Sequence, residues 1–140
     1  MIYAVIDTNV LVSAIITSNL QSPTLRVVEA MLAKKITPLY DDEIIREYSE
    51  VLHRAKFGFD DKVINSYLEA IMREGIAAKR VTSAKHFPDP KDIVFYEVAL
   101  SKDDAYLVTG NKKHFPNTPI VVTPAEMMEI LQREEHEQKA

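Results

Sequence analysis

Five residues, Ile2-Tyr3-Ala4-Val5-Ile6, run without a charged or strongly polar break into Asp7-Thr8-Asn9. The run is rich in β-branched side chains and has the length of a strand buried on both faces of a parallel sheet. An apolar helical pattern follows at once through Val10, Leu11, Ala14 and Ile15. Asp7 is thereby expected at the carboxyl end of a central strand, where open α/β sheets bind their ligands. A carboxylate in that position is costly unless a cation or hydrogen-bond donors meet it.

The rest of the chain alternates in the same way. Pro23 opens a helical stretch with Leu25, Val28, Met31 and Leu32 on one side. Ile36 to Tyr40 is a short strand, which Pro38 marks as brief or at a sheet edge. Asp41 and Asp42 start a helix with the stripe Ile44, Ile45, Tyr48, Val51 and Leu52. Beyond the break at Phe57-Gly58-Phe59, Asp60 or Asp61 caps a helix through Val63, Ile64, Tyr67, Leu68, Ile71 and Met72, which Gly75 ends. Ala78 to Val81 is the next strand candidate. Asp89-Pro90 has the form of a cap followed by a first helical residue, and Ile93 to Leu100 is apolar nearly all round and so expected inside. Ala105–Val108 and Ile120–Val122 are the last two strands, and Thr123-Pro124-Ala125-Glu126 is a capping box for a final helix. That helix is expected to run out near Arg133, leaving 133–140 as a charged tail. The pattern predicts one α/β domain over residues 1–140, with a parallel sheet of four or five strands and helices on both faces.

Composition narrows the chemistry. Cysteine is absent from the 140 residues, which excludes a disulfide framework, a thiol nucleophile and a zinc–thiolate site. No apolar run approaches the ~18 residues of a membrane span, and an apolar strand beginning at residue 2 leaves no room for a charged signal segment. A cytoplasmic protein is expected. Seventeen basic against 21 acidic residues give a formal charge of −4, a poor surface for non-specific polyanion binding. Any role with nucleic acid therefore needs local basic patches or metal ions that reverse the sign of the site.

Several acids or amides fall where strands end or helices begin. Glu47 lies roughly 90° from the centre of its helix's apolar stripe, at the boundary of the buried face; Glu43 and Glu50 lie further round, toward solvent. Glu47 is either a boundary residue with its stem on the core or a site acid. Asp92, in the first turn after Asp89, is favoured by the helix dipole and equally able to bind a cation. Asp89 itself reads first as a cap. Glu97 interrupts an apolar helix and is either partnered inside or marks a wet edge. Asp7 and Asn111 each follow an apolar strand, where turn and cap residues are common. Together these elements deliver oxygen ligands to one edge of a sheet. Carboxylates so close repel unless divalent cations neutralise them, and oxygen donors without Cys favour Mg²⁺ or Mn²⁺ over Zn²⁺.

These residues resemble the PIN-domain ribonucleases. The matching stretches are Val5-Ile6-Asp7-Thr8-Asn9-Val10-Leu11, the helix with Glu47 followed by Val51-Leu52, Asp89-Pro90-Lys91-Asp92, and Tyr106-Leu107-Val108-Thr109-Gly110-Asn111. The resemblance is greatest to the toxin components of bacterial and archaeal toxin–antitoxin pairs. It implies a Mg²⁺- or Mn²⁺-dependent endonuclease acting on RNA, with an antitoxin protein as partner and a homodimer as the assembly. Carried over, Asp7, Glu47 and Asp92 are the catalytic, metal-binding acids, with Asp89 second to Asp92. Asn111 stands where many members have a fourth Asp; the amide keeps an oxygen ligand but removes a charge. Asn9 and Thr109 would orient the groups around the metal. For RNA, Lys112-Lys113-His114-Phe115 offers cations and an aromatic on which a base could stack, and Arg54, Lys56 and Phe57 form a similar cluster. His86 and His114, in loops beside this edge, read as solvent-facing.

Two other readings compete. Aspartyl-phosphate enzymes and receivers also place Asp after the first strand, but the phosphatases need a second Asp where Asn9 stands, and receivers need a Lys after the last strand, which Val122-Thr123-Pro124 does not supply. The non-enzymatic reading is a catalytically weak or inactive PIN-type module that binds RNA or protein, and Asn111 gives it weight.

Overall fold

A computed structural model describes residues 1–85 and 87–139, with the side chain of 139 excepted; His86 lies outside the described residues. Five strands form one parallel sheet: β1 (Ile2–Ile6), β2 (Ile36–Tyr40), β3 (Ile76–Ala77), β4 (Tyr106–Val108) and β5 (Val121–Val122), in the order β3-β2-β1-β4-β5. Six helices connect them: α1 (Thr8–Ile16), α2 (Pro23–Leu32), α3 (Asp42–Leu52), α4 (Asp61–Glu74), α5 (Ile93–Ala99) and α6 (Pro124–Lys139). The chain steps outward from β1 through β2 to β3, then returns to the other side of β1 for β4 and β5. Right-handed crossovers put the helices before β3 on one face and α5 on the other. α5 packs on β1, β2 and β4, while α2 lies against β2 and carries α1 and α6.

The reversal of direction falls beside β1. The carboxyl ends of β1 and β4 therefore border the crevice where a doubly wound sheet takes its ligand. Their register, Ile6 beside Val108, brings the next pair, Asp7 and Thr109, side by side. α3 reaches across this end: the hydroxyl of its fully buried Tyr48 donates to the carbonyl of Ile6, and its ring lies 6.2 Å from that of Phe95 on α5.

The local signals act as the sequence predicts. Asp41 Oδ1 accepts from the amide of Ile44 at 2.9 Å, and Asp60 Oδ1 from that of Lys62 at 2.8 Å. Asp89 caps a 3-10 turn, Pro90–Asp92, that leads into α5. The capping box is reciprocal, with Thr123 N donating to Glu126 Oε1 at 2.9 Å and Glu126 N to Thr123 Oγ1 at 3.1 Å. α5 is buried from Val94 to Ala99.

Four expectations are corrected. The third strand is Ile76–Ala77, not Ala78–Val81, because Gly75 lets the backbone close on β2; a Cβ there would stand 2.5 Å from the carbonyl oxygen of Pro38. β2 is not an edge strand, but β3 pairs only with Leu39 and Tyr40, so beside Pro38 it behaves as one. The apolar stripes are narrower than their composition implies: Leu32, Val63 and Met72 are exposed. The helix also continues through the charged tail to Lys139. Glu134 there pairs with the N-terminal ammonium at 2.7 Å and Glu135 with Lys35 at 2.9 Å. Among the described residues, no helix is long and apolar enough to cross a membrane.

Candidate functional site

Asp7 is 8% exposed and receives the Thr109 hydroxyl on Oδ2 at 2.7 Å. Thr109, wholly buried, uses the same oxygen to accept from the amide of Asn111 at 3.0 Å. Asn9, the second residue of α1, accepts from the amide of Gly110 at 3.3 Å. The β1–α1 and β4 corners are thus stitched together around one carboxylate. Burial raises the pKa of Asp7 above its ordinary 3.8; the Thr109 hydroxyl, the Thr8 amide and the charge of His114 oppose the rise, and Glu47 adds to it.

Asp92 arrives from the opposite face, on the 3-10 turn before α5. Burial, then the charges of Asp7 and Asp89, push its pKa up to about 6, with His114 opposing and Glu47 adding. Its Oδ2 is buried without a hydrogen-bond partner; His114 Nδ1, 3.7 Å away, is too far for a hydrogen bond. Glu47, half-buried on α3, completes the group from the third side. Asp7, Glu47 and Asp92 therefore share one electrostatic neighbourhood although three separate elements carry them.

The remaining expected residues divide. Asp89 is exposed, and its carboxylate caps the amide of Lys91 at 2.9 Å, though its charge still reaches Asp92. Asn111 stands at the site and donates Nδ2 to His114 Nε2 at 3.0 Å. Lys112 pairs with Glu126 at 3.1 Å, while Lys113 and Arg54 are exposed. Phe115 offers no face for a base: it is 6% exposed and packs edge-on against Phe87 at 6.5 Å. Beside Arg54, Phe57 stacks on Phe59 at 5.2 Å with Lys56 Nζ 5.1 Å from its ring centre.

His114 is the residue sequence reasoning passed over. It is exposed, yet its ring stands between Asp92 and Asn111. The signal was its spacing: three residues after Asn111, in a 3-10 turn whose side chains at i and i+3 eclipse.

The donor set suits a hard divalent cation: carboxylate oxygens, mutual repulsion to relieve, and one orphaned buried oxygen on Asp92. Among the described residues, no three His, Asp or Glu side chains stand close enough to hold an ion as placed. Holding one requires these acids to draw closer together.

A family model for the PIN domain matches residues 3–113, from the first strand through the turn that follows Asn111. The chain belongs to the PIN domain family, whose members are generally nucleases and usually use divalent metal ions. Comparisons with curated proteins and with solved structures give no match.

Proposed function

We propose that this protein is a Mg²⁺- or Mn²⁺-dependent endoribonuclease of the cytoplasm, the toxin of a toxin–antitoxin pair, with an antitoxin protein and a second copy of the chain as partners. The observation that carries the nuclease reading is the convergence of Asp7, Glu47 and Asp92, with an unpartnered buried oxygen on Asp92.

Asp7 and Asp92 would hold the cation, with Glu47 and the amide oxygen of Asn111 completing the set. Bound there, a divalent ion lowers the pKa of water and offsets charge on the scissile phosphate. The chain's own residues do the rest. Thr109 fixes the rotamer of Asp7 through its hydroxyl, and Asn9 holds the Gly110 turn against α1. Glu47, on α3, would complete the coordination or position the attacking water. Lys113 and Arg54 supply phosphate contacts on either side; Lys112 contributes less because Glu126 already engages it.

Cleavage of a single-stranded RNA in Mn²⁺ tests this reading. Asp7→Asn should lower the rate at least about 100-fold, the loss of a few kcal/mol of charge stabilisation. Equal cleavage by both proteins, or none by either, removes the enzyme. The toxin role predicts growth arrest on expression, relieved by a neighbouring gene product. The second reading, a weak or inactive RNA- or protein-binding module, is favoured by the amide at Asn111 and its hydrogen bond to His114.

A further inference from the structure

Glu97 breaks the apolar surface of α5 yet is only 6% exposed. Its carboxylate accepts from Arg80 Nε at 3.0 Å, from Arg80 Nη2 at 2.7 Å and from the amide of Ser83 at 2.6 Å. The remaining nitrogen of the guanidinium, Nη1, donates to both oxygens of Glu43 at 3.0 Å. Arg80 therefore grips α5 with one edge and α3 with another. A planar fork can do this; the point charge of a lysine cannot.

Each of the two helices delivers a site acid. Glu47 lies one turn beyond Glu43 along α3, and residues four apart share a face. Asp92 stands just before the first residue of α5, a little over one turn before Glu97. Glu47 and Asp92 repel one another, and among the described residues they form no group of three with Asp7 that could hold an ion as placed, so the gap between α3 and α5 governs how readily they close on one.

We propose that Arg80 is a positioning residue: by clamping Glu43 to Glu97 it sets the separation of the Glu47 and Asp92 carboxylates, and with it the affinity of the site for a divalent cation. This rests on the metal-site reading above. A strut that merely holds the fold would alter stability and leave cation affinity alone.

The informative variant is Glu43→Ala, which frees the α3 end while Arg80 stays on Glu97 and the fold keeps its buried pair. Mn²⁺ is titrated into RNA-free protein by calorimetry, with the thermal midpoint recorded alongside. Glu43→Ala should bind Mn²⁺ about 10-fold more weakly with its melting temperature unchanged, and Arg80→Lys, which cannot span both helices, should bind as weakly. Glu50→Ala removes the same charge from the solvent side of the same helix and should bind as wild type does. Asp7→Asn should lose the ion. Were Asp7→Asn to bind Mn²⁺ like wild type, the metal site itself would be wrong and the clamp with it. Were Asp7→Asn to lose the ion while Glu43→Ala matched wild type or Glu50→Ala, the site would stand and the role of Arg80 would be overturned.

Discussion

Asp7 and Glu97 are two acids buried to the same degree, at 8% and 6% exposure, and the protein treats them in opposite ways. Glu97 meets a guanidinium and a backbone amide, which hold its pKa below the ordinary 4.5 despite the opposing effect of burial. Asp7 meets a hydroxyl and a backbone amide, with other acids nearby, and burial wins: its pKa rises. A buried carboxylate with a cation of its own is a strut. One without is a deficit of positive charge that a ligand can fill, and this separates fold-holding acids from site acids better than burial does.

The sharpest way to break the comparison is to take the cation from Glu97. Arg80→Met should destabilise the protein by about 2–3 kcal/mol, between the values for exposed and fully buried pairs because Arg80 is itself one-third exposed. Urea unfolding measures it, and a loss under half a kcal/mol would make Glu97 no strut. A smaller effect comes from pH. A carboxyl that titrates higher when folded takes up protons on folding, so metal-free stability should fall as pH rises from about 4 to about 6 through Asp92, by on the order of 1–2 kcal/mol after allowing for its contact with water. Glu97 acts with the other sign, losing its contribution only as pH drops through its lowered value. Melts in chelator from pH 4 to 7 should show the decline in wild type and lose most of it in Asp92→Asn. The smallest change is Thr109→Val, which keeps the shape of a wholly buried residue but takes the hydroxyl from Asp7. About 1 kcal/mol of stability should go at neutral pH, and no loss at all would mean that the hydroxyl does not anchor Asp7.

Much of this could be read from the residues in order. The first strand and its terminal Asp7, the caps at Asp41, Asp60 and Asp89, the capping box at Thr123 and the burial of α5 all follow from neighbours within four positions. The misread segments lack such neighbours. Two residues of β3 carry no periodicity, and they pair because Gly75 admits Pro38 from another strand. Phe115 looked like an exposed aromatic among lysines until Phe87 covered it. His114 looked like a loop histidine until α5 brought Asp92 beside it. For the site, Asp7, Glu47 and Asp92 were nameable as candidates, with Glu47 placed by its angle on the helix, but Arg80 had no mark to distinguish it from other basic residues.

The sequence by itself determined the elements, their order and the acids at their ends, because strand alternation, helical stripes and caps are contacts between residues close along the chain. Only the tertiary structure decided which acids carry a counter-charge. Glu97 draws its cation from 17 positions earlier and Asp7 its hydroxyl from 102 positions later. Coulomb energy and desolvation depend on distance in space and access to water, and neither is a property of position along the chain.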